Sequence, residues 1–568
     1  MAGLVGTTVG YGWAKPGVFQ VGRGKTLQVP MEVHASSRAK VVQLLSGEPY
    51  RATRGVLLVR GGEEQGVYDT DGEPLFRQDS WFNYLFGVKE AGVFGAIDLS
   101  TGQATLFIPQ LPPEYRIWCG AIHPPQIFAA SYAIESVLYT SALVSWLAER
   151  VETQGPEAKV YVLHGRNSDS GKYPESALRD LEREEDNAAL LKALPVEASP
   201  ALFFHALSTA RVTKSDSEIE VMRYAAWVAS EAHVAVMRMA RPGMVEYELE
   251  AKFLYEIYAH GGCRRCAYTS ICACGPNGAV LHYGHAGAPN DRPLEPGDMA
   301  LLDMGAEYHG YVSDITCSFP ISGTFTPDQR AVYQGVLNAQ RAVLAHMQPG
   351  AAWPDCHRLA EREILAALVG LGLLKSPIPL AESGPAGAAA KSAGDALLVE
   401  ELAKAGLGAV FFPHGLGHLI GCDTHDVGGY LDGTPARLPG PGLSKLRTAR
   451  LLEAGMVLTN EPGCYFIDAL LDAALADPAQ SRYIDPVVLA RLRGFGGVRL
   501  EDVVLVRAQG PPDNLTTCPR TIEEVEEVLR GGAWPPAVDA APWLCRRWTR
   551  LAEGGAAMDI ISVPAITP

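Results

Sequence analysis

Four carboxylates and one imidazole, in the chain order Asp303, Asp314, His418, Glu461 and Glu501, are the residues of this sequence best placed to do chemistry together. Each sits in a short apolar or glycine-rich run: LLDMGAEYHGYVSDITCSF, PHGLGHLIGCDTHDVGG, MVLTNEPGCYF and FGGVRLEDVVLV. Runs of that kind become buried strands and tight turns, and each uncompensated charge buried there costs several kcal/mol. Two divalent cations would supply the missing positive charge. Carboxylate-rich, thiol-free ligation suits hard or borderline metals such as manganese rather than a structural zinc site. The residue types alone therefore point to a dinuclear metal centre and hydrolytic chemistry.

The elements that must position these groups are partly legible. Asp303 and Asp314 flank Gly-Ala-Glu-Tyr-His-Gly, which reads as a turn between two strands, and a hairpin would let both carboxylates face one pocket. In HGLGH the two histidines are four apart, but the glycines and the missing glutamate argue against a helical zinc-protease pair. Ser215-Asp-Ser-Glu218 has capping-box spacing and predicts a long helix through Val221, Tyr224 and Val228.

The segment LLDMGAEYHGYVSDITCSFP, followed in order by HGLGH, THDVGGY, LRTAR, NEPG and GFGGVRLED, resembles the prolidases. These are the Xaa-Pro dipeptidases of the creatinase/methionine-aminopeptidase superfamily. LQVPMEVHASSRAKVVQLL, FRQDSWFNYLFGV, TLFIPQLPP and SEIEVMRYA extend the likeness over roughly residues 27–530. It implies an α/β N-terminal creatinase-like domain followed by an α+β pita-bread catalytic domain. It also implies hydrolysis of Xaa-Pro dipeptides by a metal-bridging hydroxide in a dinuclear site.

By resemblance, Asp303, Asp314, His418, Glu461 and Glu501 hold two divalent ions, most readily manganese, with Asp314 and Glu501 bridging. Glu461 doubles as the group that takes and returns the proton, and His414 is a supporting residue. His425 stabilises the oxyanion or the scissile carbonyl, or else supports a ligand. Arg499 orients the Glu501 carboxylate or contacts substrate. Arg447 and His282 match the residues that recognise the free carboxylate of the second amino acid, a role suited to arginine's planar fork. Tyr268 matches an aromatic lining the substrate site. Trp118 reads either as a contact reaching the active site of the other subunit in a homodimer, or as an ordinary buried tryptophan. One departure from relatives is Asn460, ahead of Glu461 where an apolar residue can stand; it removes no ligand.

Domain boundaries are expected as follows: an N-terminal tail over 1–26, the creatinase-type domain over 27–205, the catalytic domain over 206–533, and a C-terminal extension over 534–568. In the first domain the run SSRAKVVQLL predicts a helix capped by Ser36 or Ser37, among short strand-like runs. The Gly/Ala/Pro/Ser stretch 376–396 reads as an inserted loop.

Composition sets the limits. A chain of 568 residues calls for more than one core, and its net charge of −16 argues against a nucleic-acid partner. No apolar run reaches the ~18 residues of a membrane span. The 11 cysteines, mostly single in apolar surroundings, suit a reducing cytosol. The cluster Cys263, Cys266, Cys272 and Cys274 lacks zinc-site spacing and reads as reduced thiols on a strand. The start is acid-poor but glycine-rich with few arginines, which favours a tail over an organelle-targeting segment. Two other activities stay open. An aminopeptidase P would share all five ligands but need no carboxylate clamp, whereas a metal-free binding scaffold on this fold would have lost ligands.

Overall fold

The runs RGVLLVRGG, GVFGAIDLS and AKVYVLHG form strands, as their unbroken apolar stretches require. In the computed structural model, which describes residues 13–22, 24–179, 181, 185–377, 386–551 and 557–559, they belong to a six-stranded mixed sheet. Its spatial order is Ser136–Tyr139, Ala104–Ile108, Phe94–Asp98, Val56–Arg60, Val160–Val162, Val196–Glu197. Every residue of the three central strands is buried, because both faces of the sheet are covered. Leu57, Val59, Ile97 and Leu106 join the main core on one face, while Val56, Leu58, Ala96 and Phe107 pack on Leu143, Val144 and Leu147 of a helix on the other.

Helix Glu32–Ser46 lies across this unit. It starts earlier than its serines suggested: Met31 is the N-cap, without a side-chain cap, and Ser37 is a buried helical residue whose hydroxyl donates to the Val33 carbonyl. Three further expectations are corrected by packing. Residues 13–26 are not a tail, because Trp13–Lys15, Val18–Phe19 and Val29–Pro30 form a three-stranded sheet. Phe19 and Leu27 are buried, and the Tyr308 hydroxyl donates to the Leu27 carbonyl at 2.7 Å. The stretch 376–396 is not wholly a loop: a helix, Ala386–Lys404, begins within it, while 378–385 lie outside the described residues. The extension after 534 is packed as far as Trp548. There Arg546 is buried between Glu524 (2.6 Å) and Asp539 (2.7 Å) with its guanidinium against the Trp548 ring. Residues 1–12 and 560–568 lie outside the described residues.

The second unit opens as its capping box predicts. Ser215 caps helix Asp216–Met239, and the Glu218 carboxylate reaches back to the Ser215 amide at 2.8 Å. Four small antiparallel sheets follow. Met299–Asp303 pairs with Ile271–Cys274 and Thr316–Pro320, whereas Ala306–Tyr308 pairs with Arg265–Cys266 on one side and Tyr311–Val312 on the other. Val457–Asn460 pairs with Asp502–Leu505, whereas Gly463–Tyr465 pairs with Gly497–Arg499. Each hairpin thus crosses from one sheet to another along its length. Helices Pro327–His346 and Trp353–Gly370 pack together beside these sheets.

The boundary expected between 205 and 206 falls at the start of a buried helix, His205–Val212. Beside it Arg211 pairs with Asp426 (2.6 Å) and Asp423 (2.9 Å), and Lys214 pairs with Asp426 (2.9 Å). The Arg211 guanidinium stacks on the Trp81 ring of the first unit, and Arg77 ties Glu307 to Asp423. Asp426 is thus the buried anion common to two buried cations. Asp426→Ala leaves Lys214 without its partner and Arg211 with one of two, so stability should fall by about 3–5 kcal/mol, read as a lower urea midpoint.

Candidate metal centre

All four carboxylates stand where the chain changes sheets. Asp303 ends strand Met299–Asp303, and Asp314 lies between Tyr311–Val312 and Thr316–Pro320. Glu461 lies between Val457–Asn460 and Gly463–Tyr465, and Glu501 between Gly497–Arg499 and Asp502–Leu505. At such a break the backbone leaves its ladder and the side chain can point into the space between the sheets. His418 comes from the irregular stretch after helix Gly408–Phe411, tied by backbone bonds to strand Val457–Asn460: Thr459 N–H donates to the His418 carbonyl at 2.9 Å.

The side chains converge. Ligand atoms of Asp314, His418 and Glu501 all lie within 4.8 Å of one another. His418 Nε2 is 3.3 Å from Asp314 Oδ2 and 3.6 Å from Glu461 Oε1. The Asp303 Oδ2 atom accepts from Arg499 Nη2 at 2.6 Å, and Oδ1 from the Tyr268 hydroxyl at 2.6 Å. Arg499 is buried and fully engaged, donating also to Thr316 Oγ1 (3.0 Å) and the Tyr465 hydroxyl (2.8 Å). Of the two roles the sequence left open for it, the geometry shows it holding Asp303, with Glu501 reached only through Thr316.

Two threonines that sequence reasoning missed fix the glutamates. The Thr316 hydroxyl donates to Glu501 Oε2 at 2.7 Å, and the Thr459 hydroxyl donates to Glu461 Oε1 at 3.2 Å while accepting the His418 amide at 3.0 Å. A signal existed: Thr316 stands two residues after Asp314, Thr459 two before Glu461, and alternate strand residues share a face.

These residues fit divalent cations. Burial and the charges of Asp303 and Glu461 push Asp314 well above the usual carboxylate range, and burial with Asp314 and Asp303 does the same to Glu501. Burial, then Glu501, pushes Glu461 up to about 8. Carboxylates so strained by one another are stable as anions only beside added positive charge. The imidazole agrees: His418 Nδ1 lies 3.0 Å from the Leu419 carbonyl, so its proton sits there and the Nε2 lone pair faces the carboxylates. By contrast, burial pushes the Cys263, Cys266, Cys272 and Cys274 thiols up, opposite to what thiolate ligation needs.

The centre forms the floor of a cavity of about 550 Å³ whose lining includes His282, His414, His425, Arg447 and Asp169. The His425 ring stands edge-on to His418 with centroids 4.5 Å apart, and burial holds it neutral, far below the usual histidine range. His414 is likewise held down to about 3 by burial and by Arg499, and its Nε2 bonds the Tyr465 hydroxyl at 2.8 Å. His282 is exposed at the rim. Arg447 is half-buried and carries an ion pair to Asp169 that the sequence gave no hint of. Tyr268 reaches the centre through Asp303 instead of lining the cavity. Trp118, on the short helix Tyr115–Cys119, is not buried: it is 82% exposed, and it lines no part of this cavity. Asn460 turns away from the ligands and donates to the Gln340 carbonyl at 3.0 Å.

Fold and site together define a metallopeptidase. The model of metallopeptidase family M24 matches residues 220–508, and that of the aminopeptidase P N-terminal domain matches 34–161. The chain belongs to metallopeptidase family M24. Its catalytic half has the pita-bread fold. It is 46% identical to the Xaa-Pro dipeptidase of Homo sapiens over 89% of this chain and 95% of that protein. It is 45% identical to the Xaa-Pro dipeptidase of Mus musculus over the same shares. Among solved structures it is similar to Pseudomonas aeruginosa aminopeptidase PepP, with a TM-score of 0.68 and 30% identity across 89% of this chain and 98% of that one. The zinc-substituted E. coli aminopeptidase P in complex with product superposes with a TM-score of 0.66 and 26% identity, covering 89% of this chain and 99% of that one.

The threonine bonds should be felt by the metal. Thr316→Val removes the donor to Glu501 at constant shape, and is expected to weaken divalent-cation affinity about 10–100-fold, measured by titrating the apoprotein against a metal buffer.

Proposed function

We propose that this enzyme hydrolyses the peptide bond of Xaa-Pro dipeptides, with Asp303, Asp314, His418, Glu461 and Glu501 holding two divalent ions, manganese by the hardness of the donors. The observation that carries the reading is Arg447 on the wall of the same cavity as the five ligands, in a chain 46% identical to an Xaa-Pro dipeptidase over nearly its whole length. Bound divalent ions lower the pKa of coordinated water and polarise a carbonyl, which supplies both nucleophile and electrophile at neutral pH.

The protein's own groups do the rest. Arg447, with His282 at the rim, receives the free carboxylate of the proline and so sets the register of the dipeptide over the centre. His425, held neutral, has a ring N–H available for the carbonyl oxygen as charge develops there. Glu461 takes the proton of the attacking water and returns it to the leaving proline nitrogen, with Thr459 fixing its orientation. Arg499 positions Asp303, and Tyr268 does so from the other oxygen. The Xaa-Pro bond needs such a site because its nitrogen carries no hydrogen and its φ is fixed, so peptidases that grip an extended backbone do not hold it.

Aminopeptidase P remains the second reading, favoured by the likeness to solved aminopeptidase P structures. Hydrolysis of Gly-Pro beside Gly-Pro-Ala by the manganese-loaded protein separates the two. Cleavage of the dipeptide, lost on chelation, is the expected result; preferential cleavage of the tripeptide overturns it.

Trp118 supports a homodimer. Trp118 and Ile117 are 82% and 77% exposed on one short helix, with Leu111 nearby in sequence and also exposed, an apolar patch suited to a second copy of this chain reaching over its partner's cavity. Trp118→Ala should raise KM for Gly-Pro and weaken dimerisation in sedimentation; a variant that keeps both at wild-type values sinks this role. The cysteines of the described residues are all free, which supports residence in a reducing compartment such as the cytoplasm.

A further inference from the structure

The ion pair of Arg447 joins residues 278 positions apart in the chain. Asp169 belongs to the first unit, in the loop Asn167–Ser168–Asp169–Ser170–Gly171–Lys172, and yet Ser168 and Asp169 line the cavity over the metal ligands. The loop is built rather than slack. Asn167 Oδ1 accepts from the amides of Asp169 (2.8 Å) and Ser170 (3.0 Å). Asn167 N–H donates to the Lys172 carbonyl, and Gly171 N–H to the Asn167 carbonyl, both at 2.9 Å. Gly171, at φ +70°, closes the turn in the left-handed region.

At its tip Asp169 keeps a side chain only 10% exposed and accepts one bond, from Arg447 Nη1 to Oδ1 at 2.9 Å. Among the described residues no protein group takes a hydrogen bond from Arg447 Nε or Nη2. A guanidinium has five N–H donors in a fixed plane, so a carboxylate held at one nitrogen leaves the Nε–Nη2 edge for a second carboxylate in bidentate geometry. Arg447 itself is about a third exposed and long, and without an anchor would have many rotamers to lose when substrate binds.

We infer that Asp169 is a positioning residue for substrate selection: it holds Arg447 by one nitrogen so that the remaining edge of the guanidinium meets the C-terminal carboxylate of the dipeptide. This rests on Arg447 receiving that carboxylate, as proposed above. The first unit then does more than cover the catalytic unit, because its loop completes the specificity pocket within the same chain.

Steady-state kinetics of the metal-loaded full-length enzyme on Gly-Pro and Gly-Pro-amide test this, using Asp169→Ala, Arg447→Met and the double variant. Asp169→Ala should raise KM for Gly-Pro about tenfold with little change in kcat, leave kcat/KM for the amide unaltered, and add nothing in the Arg447→Met background. Asp169→Asn, which keeps an acceptor but not the charge, should fall between wild type and alanine. The inference is overturned if Asp169→Ala affects acid and amide alike, or keeps its effect when Arg447 is already gone. An Arg447→Met enzyme that keeps the wild-type preference for acid over amide would instead overturn the role of Arg447 itself. Discrimination lost in Arg447→Met but intact in Asp169→Ala sinks only the role of Asp169.

Discussion

Mutual repulsion among four buried carboxylates is the constraint from which the rest of this structure follows. Two like unit charges 4 Å apart repel by about 4 kcal/mol at an effective dielectric of 20, and here Asp303, Asp314, Glu461 and Glu501 share one cavity floor. The protein supplies one fixed positive charge to the group, Arg499, and directs it to Asp303. His418 brings a lone pair rather than a charge, since its proton is held at the Leu419 carbonyl. Four negative charges against one positive leave an excess that the fold cannot neutralise with its own side chains. Burial and that excess raise the pKa of Asp314, Glu461 and Glu501, and divalent cations would supply the charge that offsets it.

The sheets are arranged to impose that proximity. An uninterrupted strand would send alternate side chains to opposite faces and keep its hydrogen bonds in one ladder. Here both hairpins change ladders midway, and the carboxylates stand at the changes: Asp303 and Asp314 in one hairpin, Glu461 and Glu501 in the other. The antiparallel register aligns Asp303 with Thr316, so this carboxylate faces the residue that holds Glu501. Glycine is required at the crossing: a Cβ on Gly305 would meet the Ser313 carbonyl at 1.9 Å, and one on Gly417 the Thr459 carbonyl at 2.1 Å. Those contacts explain the glycine-rich flanks of the site motifs in terms of backbone approach.

What could be read from the sequence was what depends on neighbours along the chain. The clustered carboxylates stand out because charge in an apolar run has few explanations, and Ser215 with Glu218 announces a helix start because the capping bonds span three residues. Thr316 and Thr459 were within reach of the same logic through strand alternation. The errors came from treating composition as structure. The stretch after 376 mixes glycine and proline with alanine, the strongest helix former, and a helix begins at Ala386. Residues 13–30 are too short to be stable strands alone and take their order from Tyr308, nearly three hundred positions away. Arg546 likewise turns an apparent tail into a packed segment by pairing with Glu524 and Asp539. The pair of Asp169 with Arg447 belongs to this class: nothing near Asp169 in sequence needs a carboxylate, and its partner lies in the other unit.

That pair also bears on how a site for so small a substrate can be selective. A dipeptide offers little surface beyond its two charged ends and the proline ring, so most of the discrimination must come from one carboxylate. A salt bridge at a wet rim contributes little when both partners are free to move. It contributes more when the arginine is already ordered and its plane already aimed, because the entropy has been lost before binding. An ordered loop from the first unit, closed by Asn167 and Gly171 and ending on Asp169, provides that order. Arg77, paired with Glu307 and Asp423, and Arg211, stacked on Trp81, fix the two units to each other. Specificity at the rim and rigidity at the junction are then parts of one arrangement, since the loop can aim Arg447 only if the unit that carries it does not shift.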